Sequence, residues 1–215
     1  SGVITFAIFG VFVGLTGAAT VGPKVGIGFT LLFAVFGTAA VAVSSSPILA
    51  GLLVAAAAFG IAFCSVYGLT GAMLVVAMFV PYLIHQPPTP SSGGVRGVTY
   101  FASVAGVLLV AGLWGCLLGW FVTRHKSPTP PPRFRMRDAV LGGSLVAVVA
   151  GVITFVAVSR LDSTEWVWLL LTLFVLTKPA PDLNWPMTKS RVFGTVVGVI
   201  AASLISLLGL PHPIF

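Results

Sequence analysis

None of the fifteen charged residues of this chain lies in the middle of an apolar run; they gather in the connectors between long uncharged stretches. Those stretches are about 17 to 25 residues long, apart from one of about 13, and roughly 20 apolar residues carry a helix across a bilayer core. Only 7% of the residues are charged and the mean hydropathy is +1.12, whereas a soluble domain carries about 25% charged residues. A water-soluble globule is excluded. The chain reads as an all-α, polytopic integral membrane helical bundle, multi-pass in the inner (plasma) membrane, with membrane lipids as its surroundings.

Eight spans are expected, over 3–21, 25–43, 48–66, 69–85, 98–122, 139–159, 165–177 and 192–210. No basic segment precedes the first of them, so it is not a signal peptide. The chain opens on Ser1-Gly2 without an initiator Met and stops at Phe215 just after an apolar helix, the pattern of a portion of a longer protein.

Alternate connectors fall on opposite sides. One side receives Lys24, Arg124, Lys126, Arg133, Arg135, Arg137, Lys178, Lys189 and Arg191; the other receives Arg96 and Arg160. That asymmetry places the first set in the cytoplasm. It depends on Tyr67-Gly68 being a tight turn. The net charge of +7 is accounted for by topology and anionic lipid, since the basic residues flank membrane helices. No nucleic-acid partner is expected.

Residues 86–97, rich in Pro, Ser and Gly, read as an exposed flexible connector on the outer side. Residues 123–138 differ: a semi-rigid polyproline run, Ser127 to Arg133, leads into Arg133, Arg135 and Arg137. This basic, Pro-rich cytoplasmic linker divides a first helical unit, 1–122, from a second, 139–215. Trp114 and Trp120 near one end of a span, and Trp166 and Trp168 at the start of another, suit aromatic belts.

The spans carry no ionisable residue at their centres, which argues against a pump built on a buried carboxylate. Their polar content is hydroxyl, including Thr30, Thr38, Ser103, Ser144, Thr154 and Thr172, suited to bonding backbone carbonyls or neighbouring helices, or to lining a weakly polar path. Gly10 and Gly14, Gly115 and Gly119, and Gly194 and Gly198 are each spaced for close helix packing. Cys64 and Cys116 lie inside apolar segments, so neither a disulfide nor a metal site is expected. His85 and His212 stand alone at helix ends. Phosphate-loop, zinc-protease, nucleophile-elbow and Cys-x-x-Cys motifs are missing. Asp162 suits an N-cap and Glu165 a first helical turn. The reading is therefore of a non-enzyme without cofactor.

The most pointed stretch is 166–198. A helix short for a span ends at Pro179 and Pro181, Trp185-Pro186 follows, and Lys189 and Arg191 open the next helix. Backbone broken at membrane depth must line a cavity or be buried in protein, and transporter sites form at such places. Cations beside the opening would attract an anion from the cytoplasm.

Trp168, Pro179 and Arg191-x-x-Gly194-Thr195-x-x-Gly198 resemble the signature of the fusaric acid resistance protein-like (FUSC) superfamily, which includes aromatic acid exporters and is distantly similar to plant aluminium-activated malate transporters. The resemblance covers about 139–210; over 1–122 it is architectural, and the segment after Lys24 lacks an Arg-x-x-Gly-Thr. It implies units of about six helices, two in some members. It also implies a permease or channel exporting small amphipathic or aromatic organic anions, with Lys178, Lys189 and Arg191 as anion-attracting cations, Thr195 a polar contact and Trp168 an aromatic wall. So short a seventh helix calls for partner surface, and a homodimer is expected. The alternative is a non-transporting scaffold subunit of a cell-envelope complex, held to partners through 123–138.

Overall fold

The computed structural model describes residues 2–89, 96–124, 133, 135–160 and 165–176. Among them run seven α-helices and no strand: α1 (Gly2–Val21), α2 (Pro23–Val43), α3 (Pro47–Val66), α4 (Thr70–His85), α5 (Val98–Thr123), α6 (Met136–Arg160) and α7 (Glu165–Leu176). Five of them, α1, α2, α3, α5 and α6, are long and apolar enough to cross a membrane; α4 and α7 are shorter. The eighth expected span, 192–210, lies outside the described residues.

Local chemistry sets the helix ends. Pro23 and Pro47 sit in the first turns of α2 and α3, where a missing N–H costs nothing. Gly22, at φ 106°, is the single residue between α1 and α2, a conformation that any side chain would strain. At the end of α3 the Leu69 N–H donates to the Cys64 carbonyl at 2.8 Å and the Gly68 N–H to the Ser65 carbonyl at 3.1 Å, with Gly68 at φ 74°. This is a Schellman closure, and it makes Tyr67-Gly68 a tight turn.

Packing follows the glycines. In lipid no water is expelled when helices meet, so close approach and van der Waals fit decide which pairs form. The most extensive contacts are α1 with α5 and α3 with α6. A methyl group added at Gly10 would stand 2.9 Å from the Leu108 carbonyl oxygen, and one at Gly119 would stand 2.8 Å from that of Leu15. Between these points Gly14 meets Gly112 and Gly115 meets Val11, so α1 and α5 run parallel. Gly51 faces Gly151, 2.8 Å from an added methyl to its carbonyl oxygen, and Gly143 faces Ala62, so α3 and α6 run antiparallel.

Helix α4 lies between the two pairs, against α1, α2 and α3, with α7 on a further side. Val76, Ala77, Val80 and Leu83 are fully buried. Toward its C-terminus an aromatic cluster fills the centre: Phe9 stacks on Phe79 with centroids 4.2 Å apart and meets Tyr82 edge-on at 5.0 Å. All described residues belong to one compact unit, Ser1–Pro179; the other, Ala180–Phe215, lies outside them. Helix α6, which follows the basic linker, therefore packs on α3, which precedes it.

Candidate functional site

The helix directions sort the charged side chains to the two ends of the bundle. Lys24 opens α2, Arg124 closes α5, and Arg133, Arg135 and Arg137 surround the start of α6; all are exposed, with Asp138 beside them. The opposite end holds Arg96, Arg160 and Glu165. There Arg96 Nη1 donates to Ser44 Oγ at 2.8 Å, which ties the start of α5 to the C-terminus of α2. A cation at that position also meets the negative end of the α2 dipole.

Between the ends the described interior offers no polar lumen. Its buried polar side chains are Thr30, Ser65 and Thr154. Thr154 Oγ1 donates to the Ala150 carbonyl at 2.8 Å and Ser65 Oγ to that of Ala62 at 2.6 Å, both within their own helices. Thr38, Ser144 and Thr172 likewise donate to carbonyls four residues back, and Ser103 to one three back. Thr30 Oγ1 lies 3.4 Å from Cys116 Sγ and joins α2 to α5 across Gly112. These hydroxyls satisfy backbone and pack helices.

Helix α7 is the described part of the Trp-Pro-Arg-Gly-Thr hairpin. Trp166, Val167, Leu170 and Phe174 form its buried stripe, and Thr172 and Trp168 look away from it, the latter 67% exposed. Trp166 is buried, not spread at an interfacial belt: its ring stands edge-on to His85 at 5.7 Å. Its Nε1–H is buried and finds no acceptor among the described residues. Since α7 runs antiparallel to α4, whose C-terminus it meets at Trp166, it points toward the end that carries Lys24 and Arg124.

Of the residues expected at the anion site, Trp168 falls within the described chain, and of the spaced glycines Gly10, Gly14, Gly115 and Gly119 do. Gly115 and Gly119 face α1, and Trp168 lies on the outward face of α7. Lys178, Lys189, Arg191, Gly194, Thr195 and Gly198 lie outside the described residues, as do Asp162, Lys126 and the polyproline run 127–132. A depression between α1 and α5 was not expected. Gly106 and Ala111, which line it, belong to no motif, and only the neighbouring Trp114 signals an exposed aromatic there. Among the described residues no three His, Cys, Asp or Glu side chains gather where a metal ion could be held. No protein-family model matches the chain, and no curated protein or solved structure matches it.

Proposed function

We propose that the chain is a multi-pass inner-membrane permease or channel of the FUSC kind, exporting small amphipathic or aromatic organic anions without a catalytic step. The observation that carries this reading is the polarity of the bundle. Five cations, Lys24, Arg124, Arg133, Arg135 and Arg137, stand at one end with a single carboxylate among the described residues, and α7 runs toward that end. In sequence Lys178, Lys189 and Arg191 come next. Such a field raises the local concentration of anions at an entrance. On the positive-inside rule this end is cytoplasmic. With Cys64 and Cys116 replaced, a membrane-impermeant maleimide should label Gln86→Cys in intact cells and leave Arg135→Cys unlabelled until the membrane is opened. The reverse pattern would overturn the orientation.

Flux of radiolabelled aromatic carboxylates in reconstituted vesicles tests the function. Wild-type protein should pass them faster than empty vesicles do. Arg191→Ala should lower the rate about tenfold, a typical size for electrostatic steering, and added salt should shrink the difference. Equal flux in loaded and empty vesicles rejects transport.

A second reading has an observation of its own. The described interior closes on aromatic and aliphatic side chains, and most of its hydroxyls bond back to their own helices. A scaffold that holds envelope partners through 123–138 needs no path across the bundle. Pull-down with and without that linker separates the two: partners lost on deletion, with no flux, favour the scaffold.

A further inference from the structure

Among the described helices, α4 carries a proline in its interior, Pro81, and that proline is buried. Without an N–H at position 81, the Ala77 carbonyl loses the donor that an α-helix would give it. Ala77 is fully buried, so bulk water does not replace that donor. The hydrogen-bond ladder is thus interrupted one turn before α4 ends at His85, and proline is where a membrane helix bends most readily.

The single turn beyond Pro81, Tyr82 to His85, touches three other helices. Tyr82 meets Phe9 of α1 edge-on, with centroids 5.0 Å apart. Leu83 is fully buried, its Cδ1 3.1 Å from where a methyl group on Gly37 of α2 would stand. His85 stands edge-on to Trp166 of α7. Before the proline, Phe79 stacks on the same Phe9 ring at 4.2 Å. Phe9 is therefore held by one ring on each side of the break in α4.

The junction is also short of a hydrogen bond. Trp166 is 4% exposed, and its Nε1–H finds no acceptor among the described residues. A buried donor without a partner raises the energy of the state that buries it. A shift of the last turn of α4 would let water reach that donor.

We propose that the last turn of α4 is a gate, hinged at Pro81, at the Arg96 end of the bundle. It swings to part Tyr82 from Phe9 and His85 from Trp166, and so uncovers the Trp166 indole. Its purpose rests on the transport reading, since export through an interior without a polar lumen requires an element that moves. The hinge itself does not depend on that reading.

The test is fluorine NMR of the full chain in lipid nanodiscs, its five tryptophans replaced by fluorotryptophan and the Trp166 signal assigned with Trp166→Phe. That signal should exchange between a major buried and a minor water-exposed environment, on the microsecond-to-millisecond scale of such motions. Pro81→Ala restores the N–H and should cut the minor population about fivefold, the worth of one backbone hydrogen bond. Phe9→Leu removes the ring that Tyr82 meets and should raise that population by a similar factor. A single environment in the wild type overturns the proposal, as do populations that neither substitution moves. If Pro81→Ala lowers helix content, Phe9→Leu decides alone, and its failure to raise the minor population overturns the hinge. Flux of aromatic carboxylates is measured on the same proteins. Exchange at Trp166 without flux keeps the hinge and rejects the transport reading, whereas flux without exchange overturns the hinge and keeps that reading.

Discussion

Gly115→Ala is expected to lower the melting temperature of the purified protein in mild detergent by about 4–8 °C, a net cost of about 2 kcal/mol at roughly 2–4 °C per kcal/mol for a chain of this size. A methyl group there would stand 2.9 Å from the Val11 Cα and carbonyl carbon, and nearer still to the carbonyl oxygen. Backbone atoms cannot rotate away as a side chain can. Helices α1 and α5 must separate along their most extensive contact, and overpacking of this kind costs about 1–3 kcal/mol or somewhat more. The opposing gain is the helix propensity of alanine over glycine, about 1 kcal/mol. Gly106→Ala isolates that gain, because an added methyl there meets nothing within 4 Å, and it should raise the melting temperature by a few degrees. Opposite signs for one chemical change on one helix are the expected result. Equal shifts at the two positions would show that α1 and α5 do not approach as described.

The same contrast explains what sequence could and could not reveal. Helix positions were legible because charge and turn residues punctuate the chain. Gly22, Tyr67-Gly68 and the prolines at 23 and 47 mark ends that the structure places within about three residues of those expected. Helix α6 begins earlier than expected, at Met136, since its first turn carries Arg137 and Asp138 and so looks like connector; a charged first turn suits the dipole and the headgroup region equally well. Which helices pair was less visible. In water an apolar stripe points to the core, but a lipid-facing surface is as apolar as a buried one. Leu113 and Leu117 on the outside of α5 therefore read like Leu108 on the inside. The repeated glycines of α1 and α5 announced close packing without naming the partner. Gly51 and Gly151 gave no notice, being isolated in sequence, and their contact joins α3 to α6 across the linker. For the candidate site, the cationic end was legible from topology, whereas the depression between α1 and α5 depends on how those two helices meet, which composition does not record.

Leu170→Ala combined with Phe174→Ala should release α7 from the bundle, and this is the substitution with the largest expected local effect. The apolar run 165–177, closed in sequence by Pro179 and Pro181, would rise only about 20 Å as a helix, short for a core of about 30 Å, so α7 is expected to hold its depth by packing and not by spanning. Leu170 and Phe174 are fully buried, the latter one turn beyond the former on the stripe begun by Trp166 and Val167. Truncation of a buried Phe alone costs about 3–5 kcal/mol, and with no water to drive the helix back, little else opposes its departure. With Cys64 and Cys116 replaced, thiol labelling of Val167→Cys reports docking. The double truncation should speed it by about a hundredfold, the rate equivalent of roughly 3 kcal/mol of lost protection. Trp168→Ala, on the exposed side of the same helix, should leave it unchanged. If anions enter beside α7, the truncated protein should also lose flux while its other helices keep their melting behaviour. Undocking with flux preserved would place the path elsewhere and leave α7 a packing element.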